Sequence, residues 1–62
     1  MVIYEAKAFD EYCVTSKKNY NSYIQNAREI QRFKKTEWTI EDIISYYCRY
    51  SKCKQEDFEI IQ

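Results

Sequence analysis

Trp38-Thr39-Ile40-Glu41-Asp42-Ile43-Ile44-Ser45-Tyr46-Tyr47-Cys48-Arg49-Tyr50 reads as the start and body of one amphipathic helix. Thr39 stands where an N-cap is needed, and Asp42, three residues on, completes a capping box. Trp38 before the cap and Ile43 inside the first turns form the pair expected of a hydrophobic staple. Glu41 and Asp42 lie in the first turn and Arg49 and Lys52 near the end, as the helix dipole favours. Ile40, Ile43, Ile44 and Tyr47 share one side of the wheel, flanked by Cys48 and Tyr50. The spacing predicts a helix over about residues 40–52.

Working back along the chain, Tyr20, Tyr23, Ile24, Ala27 and Ile30 also follow helical spacing, drifting toward Phe33. The Gln, Arg, Lys and Ala residues among them are good helix formers. A second helix is therefore expected from just after Ser16 to about Lys35, packed on the first as an antiparallel hairpin across a short connection. Residues 2–9 and 12–15 suit short strands about a turn near Asp10-Glu11, and Phe58 to Ile61 suits a closing strand after the polar stretch 54–57. The chain has no Gly and no Pro, so the tight hairpin turns that need positive φ lack their usual residues, and helix should dominate. The expected fold is α+β in the order β-(β)-α-α-β: a helix-rich domain whose two-helix hairpin packs on a two- or three-stranded sheet. The alternative is an all-α bundle of three or four helices, since Glu5, Ala6, Lys7 and Ala8 also favour helix.

The whole chain, residues 1–62, reads as one domain with no linker or repeat. A chain of this size buries only about 60% of its unfolded surface, so a homodimer is a natural extra support. An edge strand could provide its contact. Cys13, Cys48 and Cys53 form no CxxC pair and there is no His, which argues against a zinc site and a disulfide framework. They are expected to be buried, reduced cysteines, and no metal or cofactor is expected. No signal peptide or membrane-length apolar run is evident, and a cytoplasmic location with no membrane partner is expected.

Catalytic tools are scarce. Without His there is no general base tuned to neutral pH and no Ser/His or Cys/His nucleophile pair. The pairs Asp10-Glu11, Glu41-Asp42 and Glu56-Asp57 are adjacent in sequence, so their carboxylates diverge rather than converge. The expectation is a protein that is not an enzyme and acts through its surface.

Two surface features stand out. Residues 13–36 carry Lys17, Lys18, Arg28, Arg32, Lys34 and Lys35 against Glu29 alone, although the whole chain is neutral. On the expected first helix, Asn21, Gln25, Arg28, Arg32 and Lys35 would share one face, extended by Lys17 and Lys18. Such a basic helix stripe suits an acidic protein surface or a nucleic-acid backbone, and an ordinary solvated face would look the same. Tyr46 and Tyr50, one turn apart outside the apolar stripe, form a candidate aromatic ridge.

The functional expectation is a small protein-binding module, an accessory or inhibitor protein. Heavy use of Phe, Tyr, Ile, Asn and Lys suggests an AT-rich genome, and with the small size it points to a phage or mobile-element type. The alternatives are a nucleic-acid-binding accessory protein using the basic stripe, and a structural subunit of a larger assembly. The helix-turn-helix version of nucleic-acid binding is disfavoured, because Glu41 and Asp42 would meet the base edges.

Overall fold

The computed structural model describes residues 1–22 and 27–61. The fold is a small α+β domain with one main helix on a four-stranded sheet. Strands β1 (Val2–Ala6), β2 (Glu11–Thr15), β3 (Gln31–Lys34) and β4 (Glu59–Ile61) lie in the order β3-β2-β1-β4. β2 is antiparallel to both β1 and β3, whereas β4 pairs with β1 in parallel. It follows that β3, β1 and β4 run the same way. Parallel strands cannot be joined by a tight turn. Residues between β3 and β4 accordingly form helix α2 (Ile40–Tyr50), which carries the chain from one sheet edge to the other.

Strands form near both ends, but β1 stops at Ala6 rather than Phe9 and β4 starts at Glu59 rather than Phe58; β1 and β2 form a hairpin despite the absence of glycine. Lys7–Phe9 makes a 3-10 turn, and Asp10 takes the left-handed conformation at φ 52° with its N–H on the Lys7 carbonyl. Aspartate is among the few residues that tolerate this region.

The expected two-helix hairpin does not form among the described residues. Helix α1 is only Lys17–Tyr20; Ser16 caps it, its Oγ accepting the Asn19 N–H at 3.2 Å. The chain then becomes a 3-10 turn at Ala27–Glu29 and strand β3, where helix was expected. The reason is energetic. Favourable helix propensities differ from the alternatives by only about tenths of a kcal/mol per residue. Pairing with β2 puts Phe33 opposite Tyr12 and buries it, while Gln31, Arg32 and Lys34 stay exposed. Burying such a side chain is worth about 1.5–3 kcal/mol. Tertiary burial wins.

α2 follows the capping chemistry closely. The Thr39 N–H donates to Asp42 Oδ2 at 3.0 Å and the Asp42 N–H to Thr39 Oγ1 at 3.1 Å. The helix ends at Tyr50, two residues short of the sequence expectation, with Ser51 as C-cap and Lys52 at φ 55° beyond it. Its inner side places Ile43 and Tyr47 on Ile3, Val14 and Phe33 of the sheet, and Trp38, Ile40 and Ile44 pack around that cluster. Phe58 closes it before β4 begins.

The opposite sheet face also has buried side chains, Val2, Cys13 and Thr15. There the Tyr4 and Tyr20 rings meet at 5.2 Å, bringing α1 against β1. Burial is the first cause holding the Tyr4 phenol and the Cys13 thiol above their ordinary pKa values. Among the described residues, no helix is long and apolar enough to cross a membrane.

Candidate interaction surface

The residues proposed as a basic helix stripe do not share a helix. Lys17 and Lys18 lie in α1, and the Lys17 ammonium is 3.6 Å from the Glu59 carboxylate of β4. Asn21 is the C-cap of α1. Gln25 lies outside the described residues. Arg28 belongs to the 3-10 turn, and Arg32 sits on β3 opposite Cys13, on the sheet face away from α2. The helical repeat that would have aligned them is replaced by a turn and a strand.

Lys35 has a different task. Its Nζ donates to Glu5 Oε2 at 2.8 Å and lies 5.3 Å from the centre of the Tyr12 ring. That contact with Lys35 is the main cause holding the Glu5 carboxyl below its ordinary pKa, and the same hydrogen bond raises that of Lys35. Both side chains are half-buried over the sheet end.

Tyr46 and Tyr50 are where the sequence put them. Their rings are 5.1 Å apart, and the side chains are 39% and 68% exposed. Tyr46 meets Trp38 edge-on at 5.8 Å and 88°, and Trp38 meets Phe33 at 4.9 Å. Tyr46 also contacts Tyr47 at 5.5 Å, and Tyr47 in turn contacts Phe58. The exposed pair is thus the outer end of an aromatic chain that begins in the core. Edge-to-face pairs contribute about 0.5–1.5 kcal/mol each beyond area burial, so Tyr46 is held rather than free.

Beside these rings runs an open groove of about 300 Å³. Trp38, Tyr46 and Tyr50 supply its aromatic side, Glu37 and Asp42 its acidic end, and Arg49 its basic side chain. Sequence reading singled out the two tyrosines but not Trp38, Glu37, Asp42 or Arg49 as parts of this surface. The available signal was the spacing Asp42, Ser45, Tyr46, Arg49 and Tyr50, one face of α2 at helical intervals. Glu37 and Trp38 join only because the chain turns into α2 after β3, with the Glu37 and Trp38 N–H groups both on the Lys34 carbonyl.

The cysteines are all free thiols, but not all buried. Cys13 is buried, Cys48 is exposed on α2, and Cys53 is half-buried with its Sγ 3.8 Å from Met1 Sδ. Cys48 is outside because it follows Tyr47 on the wheel and lies off the apolar stripe. Among the described residues, no three Cys, Asp or Glu side chains come together as metal ligands.

Comparison with family models, with curated proteins and with solved structures finds no match to this chain.

Proposed function

We propose that this chain is a small non-enzymatic protein-binding module, an accessory or inhibitor protein that docks through the outer face of α2. The observation that carries this reading is the Tyr46–Tyr50 pair, exposed to solvent, with Tyr46 braced against Trp38 and Tyr50 against Tyr46. Binding hot spots are enriched in Tyr, Trp and Arg, and all three types meet along this groove. Bracing matters because a side chain already ordered loses less entropy when a partner covers it. Phe9 and Ile60 are also exposed, but among the described residues no ring contact ties Phe9 to another aromatic.

The test compares affinity capture by the native chain and by a Tyr46→Ala/Tyr50→Ala variant, from nuclease-treated and untreated host lysate. Any protein held by the native chain is purified and its affinity measured by calorimetry. The double variant should bind it at least about tenfold more weakly, because a hot-spot truncation costs about 2 kcal/mol or more. Equal affinity of the two forms for that protein, or retention of nucleic acid alone, counts against the proposal.

A further inference from the structure

Resting on the reading of α2 as a docking face, we propose that the groove beside Tyr46 and Tyr50 receives an arginine side chain from the protein partner. Trp38, Tyr46 and Tyr50 line the groove together with Glu37 and Asp42. A cation is attracted to such rings within about 6 Å of the ring centre, and arginine more often than lysine. The planar guanidinium can stack on a ring while its edge donates two N–H groups to a carboxylate.

The charges decide the sign of the occupant. The groove's lining carries two carboxylates, Glu37 and Asp42, against one base, Arg49. Glu37 is exposed, and among the described residues no ion pair joins it to Arg49. Asp42 uses Oδ2 to hold the Thr39 N–H, which leaves Oδ1 as an acceptor. An acidic side chain entering here would face these carboxylates; a cationic one is drawn to them. Arg49 repels a second cation, so the guanidinium is directed toward the Glu37 and Asp42 end. The groove is too small for a folded element but accommodates one long side chain.

Trp38 is the single tryptophan of the chain and lines the groove, so its fluorescence reports on this place alone. The probes are the tripeptide acetyl-Ala-Arg-Ala-amide and its citrulline counterpart, which keeps the shape and removes the charge. Each is titrated at constant ionic strength, with Trp38 emission and backbone amide shifts as readouts. The arginine peptide should bind about two- to fivefold more tightly, the size of an exposed cation–π contact, with shifts confined to residues 37–50. Glu37→Gln and Tyr50→Ala, both at exposed positions, should abolish that preference while leaving the fold intact. Equal responses to the two peptides, or an arginine preference unchanged in Glu37→Gln, would overturn the assignment. The outcomes separate cleanly. Absence of an arginine preference in the native chain removes this inference even if the Tyr46→Ala/Tyr50→Ala variant loses its captured protein. Undiminished affinity of that variant for the captured protein removes the docking role itself.

Discussion

Lys35 Nζ lies 2.8 Å from Glu5 Oε2, so a residue just past β3 is tied to β1 across the intervening strand β2. The ammonium also covers the Tyr12 ring, which belongs to that middle strand. One side chain thus spans three strands at the sheet end.

That pair predicts a pH signature. The Glu5 pKa is lowered in the fold, so its contribution is complete above the unfolded carboxylate range and is lost as pH falls through the folded value. The Lys35 pKa is raised, so its contribution holds below the unfolded lysine range and is lost as pH rises through the folded value. Lys35→Met should therefore lower the thermal midpoint at neutral pH, and the gap from the native chain should close near pH ~2, where carboxylates are protonated. Thermal unfolding followed by circular dichroism across pH tests this; a gap that stays constant down to acid pH would contradict it.

Phe33 is the buried inner member of the ring contacts, touching Trp38, Tyr46 and Tyr47 from β3. Phe33→Ala should cost about 3–5 kcal/mol, a large part of the stability of so small a domain. Tyr50→Ala, at the outer end of the same chain of rings, should cost less than about 1 kcal/mol. Urea denaturation of both variants measures the contrast, and comparable losses would mean that Tyr50 is more deeply integrated than its exposure indicates.

Two buried hydroxyls, Thr15 Oγ1 and Tyr47 Oη, have no hydrogen-bond partner among the described residues. An unsatisfied buried polar group costs about 1–3 kcal/mol, so removing it relieves that cost. Tyr47→Phe and Thr15→Val keep nearly the same shape and should each raise the urea midpoint with unchanged m-value. A drop in midpoint would show that each hydroxyl is satisfied in solution, for instance by an ordered water.

Lys52 follows the C-cap of α2 with φ 55°, where a Cβ is disfavoured. The left-handed region costs an L-residue about 1–2 kcal/mol, and glycine is the usual occupant of this place. Lys52→Gly should stabilise the domain by about 0.5–1 kcal/mol, after allowing for glycine's greater freedom when unfolded. Lys52→Ala keeps the Cβ and should show no such gain in denaturant titrations.

Local chemistry was readable in the sequence. The capping box of Thr39 and Asp42, the apolar stripe of Ile43 and Tyr47, the helix start after Ser16 and the outward position of Tyr46 and Tyr50 all arise within a turn or two of chain. Hydrogen bonds and helical periodicity at that range depend on neighbours in sequence, so the residues themselves carried them. The assignment failed at Gln31–Lys34, where a four-residue strand alternates too briefly to outweigh the helical spacing and propensity around it. Only the sheet could settle that segment, because the benefit comes from β2 alongside and from burying Phe33 on α2, both distant in sequence. The same step scattered the basic residues and carried Trp38 and Glu37 to the side of Tyr46. Burial is a property of the assembled fold, and no window of sequence contains it.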